Sequence, residues 1–256
     1  MNRMLAFADR NRKEILRDTL SYIFCIAFPL AMLVIMTLVN TSIPKESGMT
    51  VFRIDNLSVG IAVFGQAFVM LFTALTVSKD RAGSFLVRMY ATPMESSDFT
   101  MGYMLPMLVI ALVQNLLIYL ASLVISMITG PAINPLGLLA SMITLIPSAV
   151  MFIGFGLLFG TLFSDKAAPG ICSILISVSS FVGCIWFDAD NTGGVMLTIC
   201  KVRPFYYCTR SGRSAVRLDF GVNTWLVPFV IVLACAAALT VLASLVFRSR
   251  MKADLS

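Results

Sequence analysis

Few side chains in this sequence could do chemistry, and their types exclude most reactions. There is no histidine, and the six cysteines form no Cys-x-x-Cys pair. A zinc or haem site therefore lacks its usual ligands. No GxxxxGK[ST] stretch occurs, so the chain has no P-loop with which to bind nucleotide. Cys25, Cys172, Cys184 and Cys235 lie in apolar runs and read as packing residues. Cys200 and Cys208 share a polar stretch, where they either pair or stay as free thiols. The notable polar groups inside apolar runs are amides: Gln66, Gln114 and Asn115. They could line a substrate path or bond one helix to another. The segment 79–94 is polar at both ends but carries Phe85, Leu86, Met89 and Tyr90. Their spacing makes one face of a short helix, which Thr92 and Pro93 stop. Such a helix lies on a membrane or docks into a partner's groove.

The elements that must position these groups follow from composition. Of the 256 residues, 59% are apolar and 12% are charged. Soluble domains run near 45–50% apolar and about 25% charged, and disorder needs still more charge. The chain is thus expected to be an all-α polytopic membrane protein. A bilayer core of about 30 Å takes about 20 helical residues per crossing. Charge-free runs predict six transmembrane helices, at about 21–39, 57–78, 104–129, 137–163, 168–187 and 225–247, in one domain. The third and fourth share one long run, divided at the turn signal Gly130, Pro131, Asn134 and Pro135.

An even number of spans places both termini on one side. That side holds twelve of the 19 Lys and Arg residues, so both termini are expected in the cytoplasm. Arg248, Arg250 and Lys252 after the last run are a typical inside anchor. The outer loop 188–224 is basic nonetheless, with Lys201, Arg203, Arg210, Arg213 and Arg217. The mixed-charge N-terminus is unlike a cleavable signal peptide. Residues 2–17 read as an interfacial helix, with Met4, Leu5, Ala8, Ile15 and Leu16 near one face.

All the charged residues fall outside the six expected spans. Ion-coupled transporters and intramembrane proteases place ionisable groups at membrane depth, so neither class is favoured. No catalytic residue, metal site or nucleic-acid partner is expected. If the chain moves a solute uphill, its energy comes from another polypeptide.

The block Lys79-Asp80-Arg81-Ala82-Gly83-Ser84-Phe85-Leu86-Val87-Arg88-Met89-Tyr90-Ala91-Thr92-Pro93-Met94 resembles the loop after the second span of type-2 ABC exporter permeases. The Gly83 to Pro93 block is the most specific part. The family pattern continues into a helix opening with Gly-[KR]-x-[LVA]-[PA]. Here Gly102, Tyr103 and Pro106 fill that slot, with Tyr103 in place of the usual basic residue. Arg12 to Arg17 before a span with Phe28-Pro29, and Arg203-Pro204-Phe205-Tyr206-Tyr207 before the last span, are similar to the family as well. Trp186-Phe187-Asp188 departs from the Phe-Phe-Pro often found after the fifth span.

The resemblance implies a permease subunit of an ATP-driven exporter in the cell membrane, with short helices in its last outer loop. It would dimerise with a second copy or a homologous permease. A separate ATPase subunit would bind ATP and Mg. Loop 79–98 would hold a cytoplasmic coupling helix: Phe85, Leu86, Met89 and Tyr90 would fill an apolar groove in the ATPase, with Arg81, Arg88 and Arg17 at its rim. Gly83, Thr92 and Pro93 would bound the helix. The greasy composition favours amphipathic or hydrophobic cargo, such as a drug, antibiotic, peptide or lipid. The rival readings are a membrane assembly or sensor protein with a non-ATPase partner, and an ion-coupled secondary transporter.

Overall fold

The computed structural model describes residues 2–43, 50–83, 85–90, 94–130, 133–187 and 193–255. Its elements are helices throughout the described residues. In chain order they are α1 (Asn2–Arg17), α2 (Thr19–Ser42), α3 (Ile54–Ala82), α4 (Phe85–Tyr90), α5 (Ser96–Thr129), α6 (Pro135–Leu162), α7 (Ala168–Val182), α8 (Gly194–Val202), α9 (Pro204–Val216) and α10 (Val227–Leu255). A wide π turn, Val222–Leu226, leads into α10. Another, Ile23–Ala27, lies within α2. Five helices are long and apolar enough to cross a bilayer: α2, α3, α5, α6 and the last one from Val222. With the shorter apolar helices, they make this an all-α polytopic membrane protein.

The helix ends follow from local chemistry. Asp18 caps α2, its Oδ1 accepting from the Leu20 amide at 3.2 Å. Glu95 and Asp98 form a reciprocal capping box that opens α5 eight residues before the expected span. At 34 residues, or about 51 Å, α5 projects well beyond a bilayer core. Gly130 ends it in the left-handed conformation that glycine tolerates. Asn134 caps α6, with Pro135 in its first turn. Pro131 and Ala132 of that turn signal, and 188–192 of the expected outer loop, lie outside the described residues. α6 is broken at Leu145 because Pro147 has no amide to give the preceding turn.

The fifth expected span is corrected. It ends at Val182, so α7 has 15 residues, about 22 Å, which is short of the bilayer core. Cys184 adopts a left-handed φ of 54°. The carbonyls freed by this turn are held from α9: Thr209 Oγ1 donates to the Gly183 carbonyl at 2.6 Å, and Arg213 to that of Cys184 at 2.9 Å. Arg213 and Arg217 also donate to the backbone carbonyl and the side-chain oxygen of Asn56. The basic stretch of α9 is thereby tied to the start of α3. Cys200 packs with Cys184 and Tyr206, whereas Cys208 lies in the main core; both are free thiols.

α3 is the hub. Its most apolar stretch is 78% buried, against 67% for α6 and 17% for α2 and the last helix. Small residues allow the close approach. A Cβ on Gly156 or Gly160 of α6 would fall 2.5 Å from the Met70 carbonyl or 2.7 Å from the Ala74 carbonyl of α3.

Candidate functional site

The segment around α4 forms a buried junction at the end of the bundle that carries the N-terminal helix. α3 runs on past the expected 78 to Ala82, carrying Asp80 into the fold at 6% exposure. Its carboxylate accepts two bonds from the Arg10 guanidinium, at 2.6 and 2.9 Å, and one from the Tyr103 hydroxyl at 2.7 Å. This fork geometry is the strong, directional form of a charge-assisted bond. Arg10 also meets Glu14 at 2.8 Å and lies 4.1 Å over the ring of Phe85. Burial by itself would lower the Arg10 pKa, but hydrogen bonding and charge from Asp80 override it and raise it. Burial, then the charge of Asp80, raises the Glu14 carboxyl.

An aromatic cluster surrounds this knot. Phe7 stacks on Phe85 and meets Phe99 and Tyr103 edge-on, at 5.4 and 5.0 Å. Tyr90 meets Phe99 and Phe247 edge-on. α4 thus shares one core with α1, α2, α3, α5, α6 and α10, the rings coming from α1, α5 and α10. Gly102 lets α1 approach; a Cβ there would fall 2.4 Å from Phe7. Asn11, fully buried, donates to the Gly102 carbonyl at 3.1 Å.

Two expectations change here. The buried stripe of α1 is Phe7, Ala8, Asn11 and Ile15, facing protein, while Leu5 and Leu16 are exposed. The apolar face of α4 also points inward. Leu86 is fully buried, Tyr90 is 7% exposed, and Phe85 and Met89 are half-buried in the same cluster. That face fills the chain's own core, not a partner's groove, because the long α5 and the docked α1 supply apolar surface beside it. Arg88 is exposed on α4, as are Gly83 and Arg17 near it in sequence. Arg81 is half-buried and donates to the Thr161 carbonyl at the end of α6. Thr92 and Pro93 lie outside the described residues.

Sequence reasoning missed Phe7, Arg10, Asn11 and Phe247, and gave Asp80 no role. One signal was present. Tyr103 stands where the family pattern carries a basic residue, and its hydroxyl reaches the one acidic group at that end of α3.

The three amides are separated in role. Gln66 is fully buried and partnered, its Oε1 accepting from Ser148 at 2.6 Å and its Nε2 donating to the Leu145 carbonyl at 3.4 Å. Gln114 donates to the Ala62 carbonyl at 3.3 Å, leaving Oε1 unpaired. Asn115 is fully buried with neither polar atom paired. Removing an unpaired buried amide is nearly neutral or stabilising, while stranding one partner of a pair costs stability. Asn115→Leu is therefore expected to hold or raise the thermal midpoint. Gln66→Leu is expected to lower stability by about 1 kcal/mol. Thermal unfolding in detergent compares the two. If Asn115→Leu proves the more damaging, its amide has a partner that only another state of the protein supplies.

The model of the ABC-2 type transporter family matches residues 2–216, which run from α1 through the last residue of α9.

The chain belongs to the ABC-2 type transporter family.

It is accordingly a multi-pass membrane protein and a permease component of an ABC transporter. The ABC-2 family implies an ATPase partner. The match includes α4 and the whole Arg10–Asp80–Tyr103 knot. No curated protein matched the chain.

Proposed function

We propose that this ABC-2 permease is the membrane subunit of an ATP-driven exporter in the cell membrane, with both termini in the cytoplasm. It pairs with a second copy or a homologous permease. A separate ATPase subunit binds ATP and Mg and does the hydrolysis. The cargo is amphipathic or hydrophobic, because the spans offer apolar and aromatic surface and amides, without formal charge.

The observation that carries the reading is the mounting of α4. A six-residue helix would be a poor lever if it were free. Here its inner face is seated among Phe7, Phe99 and Phe247, and Arg10 lies over its first ring while holding Asp80. Displacement of α4 by a closing ATPase would reach α1, α3, α5 and α10 together. In this proposal Arg88 and the exposed parts near Gly83 and Arg17 meet the ATPase, while Leu86, Tyr90, Phe85 and Met89 fix the lever to the bundle. Arg81 ties the end of α3 to α6.

Two substitutions separate contact from mounting. Arg88→Asp changes an exposed side chain, so the thermal midpoint should stay within about 0.5 kcal/mol in stability terms. ATPase co-purification should fall about tenfold, as expected when a contact loses its charge complement. Leu86→Asp buries a charge at a fully enclosed position and should deplete the folded protein itself. If Arg88→Asp co-purifies and hydrolyses ATP like the parent, the outward face of α4 is not the contact. If no ATPase co-purifies with the parent, the exporter reading fails.

A further inference from the structure

The stretch between α7 and α10 does not lie wholly outside the bundle. The last residue of α9, Val216, lays its carbonyl against Gly137 in the first turn of α6. Near the start of α9, Phe205 meets the rings of Phe152 and Phe155 at 5.6 and 6.0 Å. Phe152 is roughly 25 Å along α6 from its first residue, Pro135. α6 has 28 residues, or about 42 Å, against a bilayer core of about 30 Å. At most about 12 Å of it projects, so Phe152 lies inside the core wherever the projection falls. α9 is therefore re-entrant. It begins at membrane depth and ends where α3 and α6 start.

Two cations come with it. Arg203 is the residue before α9, and the carbonyl of Lys201 accepts from the Tyr207 hydroxyl at 2.8 Å. Both basic side chains are exposed. The other basic residues of the stretch are engaged. Arg210 is held by the Tyr206 hydroxyl, Arg213 by the carbonyls of Asn56 and Cys184, and Arg217 by the Asn56 side chain. Lys201 and Arg203 have no ion pair or side-chain hydrogen bond among the described residues. Charge at membrane depth is costly, and such groups mark the place where a partner binds.

The neighbouring helix says what the partner is. Val195, Ile199 and Val202 of α8 recur at i, i+4 and i+7 and are 78%, 47% and 75% exposed. They face away from the side of α8 that packs Cys200 with Cys184 and Tyr206. At nine residues, about 14 Å, α8 is too short to cross a bilayer, so this stripe is not the flank of a span. The stripe runs up to the cations, with Val202 between Lys201 and Arg203. A neutral lipid would cover the stripe and leave two cations unmatched, and a soluble anion would do the reverse. An anionic phospholipid matches both, with its phosphate at Lys201 and Arg203 and its acyl chains along α8. The stems of the two basic side chains can stay among those chains while their heads reach the phosphate. We propose that the α8–α9 junction is a binding site for an anionic phospholipid. The site goes beyond the exporter reading and does not rest on it, since binding needs neither ATP nor an ATPase.

The test uses the full-length chain in detergent, titrated with phosphatidylglycerol or phosphatidylcholine, with bound lipid counted by native mass spectrometry. The parent should bind phosphatidylglycerol about tenfold more tightly, from two charge-assisted contacts. Lys201→Gln with Arg203→Gln should remove that preference at an unchanged thermal midpoint. Arg203→Gln alone should lower it about threefold, and decides the matter if the double variant does not fold. Arg203→Lys should keep most of it. Arg250→Gln, an exposed cation at the far end of α10, should change nothing. Glycerol 1-phosphate should not displace the lipid. Four results would overturn the proposal. The preference may survive the double variant, or both lipids may weaken equally, which marks a merely greasy surface. Glycerol 1-phosphate may compete, which marks a soluble-anion site. The double variant may alter only the oligomeric mass, which assigns the junction to a second copy.

Discussion

Asp80→Ala should release α1 from the bundle and cost about 2–3 kcal/mol. Removing one partner of a buried pair strands the other charge, an effect of about 3–5 kcal/mol when both groups are enclosed. Here Asp80 is buried while the Arg10 side chain is 35% exposed, so water recovers part of that cost. The Tyr103 hydroxyl, 1% exposed as a residue, also loses its acceptor. The measurable consequence is local. Arg10, Arg12 and Arg17 should become cleavable by trypsin at protease levels that leave the parent intact, and the thermal midpoint should drop. Asp80→Asn keeps an acceptor for Tyr103 but no charge for Arg10, and should fall between the two. If Asp80→Ala resists trypsin and heat like the parent, the knot does not hold α1.

Gly156→Val should pry α6 off α3 and strongly destabilise the bundle. The new Cβ would lie 2.5 Å from the Met70 carbonyl and 2.7 Å from the Thr73 Cβ. Backbone on the far side cannot rotate away, so α6 must move off α3, the most buried helix of the bundle. Overpacking of this kind costs about 3 kcal/mol or more, and loss of a close small-residue contact adds to it. Little folded protein should survive detergent extraction. Gly170→Ala is the matched control: nothing lies within 4 Å of its Cβ position, and alanine favours a helix by up to about 1 kcal/mol. Equal extraction yields for Gly156→Val and the parent would mean that α3 and α6 do not pack as described.

The two substitutions also show which parts of the fold could be read from sequence. Spans announce themselves because lipid demands long runs without charge, and Gly156 with Gly160 announces close packing by spacing alone. The short α7 was less legible. Its apolar run continues to Phe187, and the turn that ends the helix at Val182 is fixed by donors from Thr209 and Arg213, more than twenty residues on. The direction of α4 was hidden for a similar reason. Phe85, Leu86, Met89 and Tyr90 define an apolar face, but a one-dimensional pattern does not say what that face meets. The answer depends on Phe7, Phe99 and Phe247 arriving from three other helices. Asp80 looked like one more charge beside a membrane. Its partners are Arg10, seventy residues away, and Tyr103. The amides at depth were visible as a group, whereas their division into the paired Gln66 and the unpaired Asn115 needed the facing helix.

The central proposal is that hydrolysis by a separate subunit drives cargo through this permease. Its most direct measurement is accumulation of a fluorescent amphiphile in inverted membrane vesicles that hold the permease with its native ATPase, after ionophores have collapsed every ion gradient. ATP-dependent accumulation should persist without gradients, and Arg88→Asp should lower it about tenfold, in step with the loss of ATPase association, without changing the amount of permease present. Accumulation that ignores ATP and vanishes with the gradients would contradict the proposal and identify an ion-coupled carrier instead.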